Sequence, residues 1–439
     1  MQITSLKKQY DIVVVGGGLV GASFACAMDQ ALANCAGLRP ISILVVEAFQ
    51  QSDQSPQAQP SFDARTTALS HGSRKIFESI GLWQQLQDRV TPIHEIQVSD
   101  KGRFGSTKLN SQTEAVPALG YVIDNSHLGW GLNRAMQTSQ VIELICPATI
   151  NKISPNPQGM MLTITPDSSD EAAMQIQAAL VVLADGGRSP ICAQLGITHD
   201  VKDYGQQAII SNIAFQIPHR NIAFERFTDT GPLAVLPIAG QNNENRGALV
   251  WTVERDAAES ILAQSETKKL HDLQLKFGHR LGNITRIGKC FSYPLSLSVA
   301  KEQIRPGLVL LGNVAHTLHP VAGQGLNLAL RDVQCLVESL LKGIAENDYY
   351  ASTRLAQQGE FKCSGDETSL GSMGLLQQYQ DRQQWDQDKT IGFSHYTTRL
   401  FSSNNTALVW ARKFGLFSID LIPSFKRSFA RQAMGIVPK

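Results

Sequence analysis

The stretch Asp11-Ile12-Val13-Val14-Val15-Gly16-Gly17-Gly18-Leu19-Val20-Gly21 decides the fold. Its first five residues are a compact apolar run of strand length, glycines follow at once, and a helical pattern continues from Ala22 to about Ala33. That is G-x-G-x-x-G in the strand, turn and helix setting that a dinucleotide phosphate requires. Gly16 serves the turn, Gly18 lets a phosphate approach the backbone, and Gly21 lets the helix pack on the strand. A second apolar run, Ile41 to Val46, ends in Glu47, some 26 positions beyond Gly21, where an acid can accept hydrogen bonds from an adenosine ribose. The plainer alternatives are a glycine turn that holds no ligand and a Glu47 that only ends its strand. The complete βαβ unit favours the nucleotide, but it does not separate NAD from FAD.

Outward from this unit, residues 50 to 61, QQSDQSPQAQPS, read as a polar surface loop. Phe62 to Ser70 then re-enters structure and carries Arg65, which either supplies charge-assisted hydrogen bonds to a diphosphate or makes a surface ion pair. A helix is expected from Ser73 to Trp83, and a half-exposed strand from Ile93 to Asp100 with His94 on its surface. Gly120 to Asp124, Val141 to Leu144 and Met161 to Ile164 read as further strands, with a helix containing Leu128, Leu132 and Met136 after the first of them. Ala179 to Ala184 is a buried strand that stops at Asp185-Gly186-Gly187. An acid with two glycines at the same sheet edge can hold a second part of a long cofactor, or Asp185 simply makes the turn. From 205 to 290 short β-rich runs alternate with polar turns, which predicts a mainly antiparallel sheet interrupted by one helix around Ala257 to Leu281.

The third glycine signal follows the strand Leu308 to Leu311. GNVAHTLHPVAGQGLNLALRD, Gly312 to Asp332, is a Pro/Gly-rich turn leading into a helix near Gly325. Backbone N–H groups at a helix start, on the positive end of its dipole, suit an anionic or electron-rich group. His316 and His319 lie in this turn and read as scaffolding in preference to bases.

With 439 residues, 43% hydrophobic and a net charge of +1, the chain is long enough for two domains and a tail, and gives no electrostatic case for nucleic acid. No apolar span reaches membrane-crossing length, and the glycines straight after the N-terminal apolar run resemble no cleavage site, so a cytoplasmic protein is expected. The seven cysteines are scattered and never form C-x-x-C, so neither a disulfide framework nor a metal site is expected. Residues 343 to 374 read as an exposed insertion and Leu375 to Leu400 as a polar helix. From 408 to 431 aromatic and aliphatic residues mix with Arg412, Lys413, Lys426, Arg427 and Arg431. Such a tail either rests peripherally on the anionic inner face of the cytoplasmic membrane or packs on the first domain.

Four stretches carry a resemblance: DARTTALSHGSRKIFESIGLW from Asp63, PIHEIQVSDKGRFG from Pro92, LADGGRS from Leu183 and LVLLGNVAHTLHPVAGQGLNLALRDV from Leu308. Together with the fingerprint glycines they resemble the p-hydroxybenzoate hydroxylase class of FAD-dependent monooxygenases. Within it they resemble the ubiquinone-biosynthesis hydroxylases, most of all the 2-octaprenyl-6-methoxyphenol hydroxylase type. The resemblance implies an α/β fold with α+β elements. A Rossmann-like FAD-binding domain (1–75, 115–190 and 291–342) is followed by an antiparallel β-sheet substrate domain (76–114 and 191–290) and a C-terminal helical region (375–439).

It further implies FAD as cofactor, NAD(P)H as transient reductant and O2 as oxidant, reacting through a flavin C4a-hydroperoxide to hydroxylate a polyprenyl phenol. Carried over, Gly16, Gly18, Gly21 and Arg65 meet the diphosphate and Glu47 the ribose. Asp185 and Gly186 lie on the side open to nicotinamide, and Gly312 and Asn313 at the ribityl chain. Pro320, Gly323, Gln324, Gly325, Leu326 and Asn327 lie beside the ring, where the amides of Gly323 to Gly325 face the pyrimidine edge. Two positions depart from the class: Asn313 stands where Asp is usual, and Ser126 where many members have Arg. Other readings kept open are a sibling hydroxylase acting at another ring carbon, an FAD-dependent dehydrogenase or halogenase, and a flavin-binding subunit of a biosynthetic complex. A homo-oligomer is compatible with any of them.

Overall fold

The computed structural model describes residues 6–35, 37–50, 65–100, 106–167, 172–187, 189–241, 244–320, 323–356, 369–402 and 430–436. The chain begins with β1 (Gln9–Val15), α1 (Leu19–Ala33) and β2 (Ile43–Val46), then β3 (Thr66–Ser70), α2 (His71–Ser79) and α3 (Trp83–Leu86). Next come β4 (Val90–Ile93), β5 (Glu95–Asp100), β6 (Ser106–Asn110), β7 (Gly120–Asp124), α4 (Asn125–Thr138), β8 (Ile142–Ile145), β9 (Ala148–Asn156), β10 (Gly159–Pro166) and β11 (Met174–Leu183). The middle holds α5 (Pro190–Gln194), β12 (His199–Phe215), β13 (Ile222–Thr228), β14 (Gly231–Gln241), β15 (Glu244–Glu254), α6 (Arg255–Ala263) and α7 (Glu266–Phe277). The last part holds β16 (Ile284–Ile287), β17 (Phe291–Ala300), β18 (Ile304–Arg305), β19 (Leu308–Leu310), β20 (His316–Thr317), α8 (Gln324–Ala356) and α9 (Met373–Ser402).

The first sheet runs β18-β19-β11-β1-β2-β8, with β10 and β9 extending it from β11. Its centre is parallel: β1 pairs with both β11 and β2, β11 with β19, and β2 with β8. Strands buried on both faces need apolar residues at every position, and Ile12 to Val15 supply them. Ile12 and Val14 join one core with α1, α4 and α8, while Val13 and Val15 join another on the opposite face. Each such side chain contributes roughly 1.5–3 kcal/mol by leaving water.

The second sheet runs β20-β17-β12-β15-β14-β13-β5-β6, with β16 beside β12. It is antiparallel except where β13 meets β5. One face is closed by α6 and α7, through Leu273 and Phe277 packed on Ile209, Ile213 and Leu249. The single helix expected here is two, because Ser265 accepts the Lys268 N–H and starts a new helix after Gln264. A small third sheet, β3-β7-β4, lies in the chain between these elements.

Three further expectations need correction. The strand expected across 93–100 is broken at His94, whose N–H bonds to Asn221 O instead of a ladder partner. The helix expected from Ser73 starts at His71, because Ser70 caps it by accepting the Ser73 N–H. The domain boundary at 342 falls inside α8, so residues 343–356 continue a helix and are not a separate insertion; residues 357–368 lie outside the described residues.

Helix α9 docks on α8 through a part-buried ion pair, Arg331 Nε to Asp386 at 2.6 Å. Of the expected basic tail, residues 408–429 lie outside the described residues. Its end is docked: Ala430 and Met434 are buried against Leu109 and Leu119, and Met434 O accepts the Gly72 N–H at 2.8 Å. A Cβ at position 72 would lie 2.5 Å from Gly435 O, so glycine is required for that approach.

Candidate functional site

The carboxyl ends of β1, β2, β11 and β19 meet where the sheet order turns at β1, which is where open α/β sheets hold nucleotides. Gly16 has φ +100°, and a Cβ there would lie 2.6 Å from Ala184 O. A Cβ on Gly21 would lie 1.9 Å from Gly16 O, so α1 can cross the strand end only with glycine at 21. Gly18 differs: its Cβ side has no heavy atom within 4 Å, and no side chain caps α1. The first two glycines are needed by the fold, and the third leaves space at a helix N-terminus.

Buried Glu47 accepts the Gly17 N–H at 2.6 Å with one carboxylate oxygen and the Phe49 N–H at 2.8 Å with the other. It therefore braces the fingerprint loop, and each oxygen retains a lone pair for a ribose hydroxyl. Asp185 Oδ1 is buried without a hydrogen-bond partner. Burial raises its carboxyl above the usual range, against the opposing Ser189 hydrogen bond. An acceptor of this kind, next to a Gly186 with open space on its Cβ side, fits a ligand hydroxyl.

Gly312, at φ +72°, packs against Val20 of α1, and Asn313 lies beside Gly187 with its side chain exposed. The three glycine segments are thus brought together, as the sequence predicts. Farther along, Gly323 has φ +60° and α8 starts at Gln324, with open space on the Cβ side of Gly325. Pro320 and Leu326 are half-buried and Gln324 is buried. Val321 and Ala322 lie outside the described residues. The orphaned Asp185 oxygen and the open sides of Gly18, Gly186 and Gly325 fit FAD laid from the fingerprint to the start of α8.

Two expectations change. The Asn327 side chain, expected on the cofactor, is spent on the protein. Its oxygen accepts the Ser70 N–H and the Ser73 hydroxyl, both at 2.7 Å, and its nitrogen donates to Ala68 O at 2.9 Å and Gly323 O at 2.6 Å. It ties the ring-side loop to β3, and Ser70 and Ser73, which lie in the stretch quoted from Asp63 but carry no expected role there, join the site. Arg65, expected on the diphosphate, donates to the Tyr293 hydroxyl at 2.9 Å and stands over Phe291, so its described contacts go to the second sheet. Exposed Ser126 donates both its N–H and its hydroxyl to Asp124, the cap of α4.

The two histidines are buried behind the loop. His316 Nε2 lies 2.6 Å from Asp332 Oδ2, and Asp332 Oδ1 accepts from Gln387. His319 is 0% exposed, neither ring nitrogen has a hydrogen-bond partner, and burial pushes its pKa down to about 4. Its ring meets Tyr204 edge-on. Among the described residues no three His, Cys, Asp or Glu side chains form a metal-binding group.

A cavity lies at the seam between the second sheet and β3. Ile210, Leu236, Ala248, Val250 and Phe291 form apolar walls, with Asn212 and Thr66 among the polar lining and Arg65 and Lys289 as its cations. Thr66 is two residues from Ala68, which lies within 3.4 Å of a Cβ built on Gly323, so cavity and ring-side loop are about 7 Å apart along the strand.

Residues 9–351 match the FAD binding domain family. Ubiquinone hydroxylase UbiL of Rhodospirillum rubrum is 31% identical over 98% of this chain and 91% of its own length. The 3-demethoxyubiquinol 3-hydroxylase of Escherichia coli is 24% identical over 97% of this chain and 98% of its own. Among solved structures, p-nitrophenol 4-monooxygenase PnpA of Pseudomonas putida superposes with a TM-score of 0.72 at 16% identity, covering 98% of this chain and 99% of that one.

Proposed function

We propose, from the premise that the chain belongs to the FAD-dependent monooxygenases and among them to the ubiquinone-biosynthesis hydroxylases, that it hydroxylates the ring of a 2-polyprenyl-6-methoxyphenol to the 1,4-benzoquinol. FAD is its cofactor, with NAD(P)H and O2 as co-substrates of the class. Bound FAD supplies the activation of oxygen and its transfer to the ring. The chain's own residues bind, orient and exclude water. Gly18 admits the diphosphate in the turn that Gly16 and Gly21 make possible, Glu47 the ribose, Asp185 a hydroxyl, and Asn313 the ribityl chain through its amide oxygen. The N–H groups of Gln324 and Gly325 stabilise negative charge at the pyrimidine edge, while the Gly323 N–H, expected there too, donates to Pro320 O at 3.1 Å and closes the turn.

The observation that carries the substrate is the cavity: apolar walls for a prenylated ring, one strand segment from the ring-side loop. A geranyl-substituted methoxyphenol, NAD(P)H and oxygen-18 gas test it together. One labelled hydroxyl para to the existing one is expected. Label at another carbon would identify the sibling reaction. Product without label would point to a dehydrogenase, and failure of the phenol to stimulate NAD(P)H oxidation would point to an assembly subunit. Profiling of accumulated quinone intermediates in a deletion strain gives the missing ring position independently.

A bilayer-dissolved substrate also supports peripheral contact of the 408–431 tail with the cytoplasmic membrane. Docking of Ala430 favours the packing alternative for its last turn. No helix among the described residues is long and apolar enough to cross a membrane. Intact protein that fails to co-sediment with anionic liposomes at low salt would end the membrane reading.

A further inference from the structure

We infer that Lys289, assisted by Arg65, holds the phenol oxygen of the substrate as its anion and so selects which ring carbon meets the oxidant; the inference rests on the function proposed above. The cavity has a definite polarity. Its walls are Ile210, Leu236, Ala248, Val250 and Phe291, and among the described residues its lining contains two cations and no acid. Both cations address one ring: Lys289 Nζ lies 5.3 Å and Arg65 Cζ 6.0 Å from the Phe291 centroid. Arg65 is oriented further by its bond to Tyr293.

A nucleotide phosphate would find two charges here but also an apolar enclosure that it cannot use. A prenylated phenol has the complementary pattern, one ionisable oxygen on an otherwise apolar body. Ionisation breaks the O–H bond. The proton leaves to solvent past the exposed Lys289 and Arg65, and the electron pair stays on oxygen, enriching the ortho and para carbons that an electrophilic oxygen attacks. Desolvation by the walls opposes ionisation, and the two cations must overcome it. Among the described residues, the charged or titratable groups facing this corner beyond the lining include the Tyr293 hydroxyl on β17, bonded to Arg65, and Asp124 at the end of β7, paired across from Thr66 and engaged with Ser126.

The test uses 2-methoxy-4-nitrophenol, whose ionisation is visible in its absorbance, bound to the FAD-loaded enzyme. Its apparent pKa is expected to fall on binding by about one unit, a tenfold shift worth about 1.4 kcal/mol. Lys289→Met should remove most of that shift and move the acid limb of the hydroxylation pH profile upward by a similar amount, while Lys289→Arg restores both. Lys289 is exposed, and flavin content with melting temperature verifies that the variants fold. Identical probe titrations in wild type and Lys289→Met would overturn the inference, as would a probe that binds only as the neutral phenol or not at all. A changed KM for NAD(P)H with an unchanged probe titration would overturn it too and assign the cations to the reductant. A shifted probe in an enzyme that adds no oxygen-18 to prenyl phenols would leave the anion site standing and remove the proposed reaction.

Discussion

His319 permits a quantitative test of how the ring-side loop is supported. Its imidazole is fully buried, and its pKa is about 4 against an ordinary 6.5 because burial penalises the charged form. A depressed histidine is neutral in the fold, so above pH 6.5 it contributes nothing to the pH dependence of stability. As pH falls from 6.5 towards about 4, the unfolded chain takes up a proton that the folded chain refuses, and stability is lost throughout that window. The difference in pKa corresponds to about 3 kcal/mol, most of it lost by about pH 4.5. His71, His127 and His219 are also lowered by burial and add losses of the same sign, so the measurement must be a difference. Urea unfolding of wild type and His319→Gln, compared at neutral pH and at about pH 4.5, isolates the His319 contribution. The variant should lose less stability on acidification by about 2–3 kcal/mol. It should also keep NAD(P)H oxidation and lose at most about tenfold in hydroxylation, about 1.4 kcal/mol. Parallel acid losses in the two proteins would refute the buried neutral imidazole. Complete loss of hydroxylation at full flavin content would make His319 catalytic.

Other outcomes follow from the same structure. Gly21→Ala, whose new methyl would overlap Gly16 O, should destabilise the apoprotein by about 3 kcal/mol or prevent its folding, whereas Gly18→Ala should leave apoprotein stability within about 0.5 kcal/mol and weaken FAD binding at least about tenfold; calorimetry and flavin titration separate the two. Gly325→Leu should likewise fold and fail to bind or reduce FAD, and wild-type flavin content and turnover would remove the loop from the site. Glu47→Gln, which retains one acceptor but no charge for the Gly17 N–H, should cost about 1–3 kcal/mol in denaturant unfolding, and an unchanged midpoint would contradict the brace. Asp386→Ala removes the carboxylate paired with Arg331, leaving the guanidinium its bonds to Thr390 Oγ1 and Asn327 O, and should cost about 1–3 kcal/mol, more than the double replacement of both partners by apolar residues.

What the sequence made legible was backbone and space. Apolar runs buried on both faces announced β1, β2, β11 and β19, and glycines marked the places where chain must approach chain. The polar partnerships were not legible. Asn327 lies 257 positions from Ser70, and nothing in their local patterns says that one amide will satisfy four groups on two segments. Arg65 carried a charge whose direction depended on where Tyr293 would stand, 228 residues away. By contrast, the break between α6 and α7 had a local sign, the capping Ser265, which helical periodicity across 257–281 obscured. Long helices hide boundaries in the same way, and α8 crosses the one expected at 342.

The Gly72 N–H to Met434 O bond joins residues 362 positions apart. On the ribosome, the fingerprint emerges early, yet its cradle stays open until Gly325 has been made, 304 residues after Gly21 and roughly 15–61 s later at about 5–20 residues per second. The seal at Gly72 waits longer still, for Met434. A message truncated before codon 430 therefore yields a chain with every cofactor-facing glycine in place and its Gly72 N–H deprived of its acceptor.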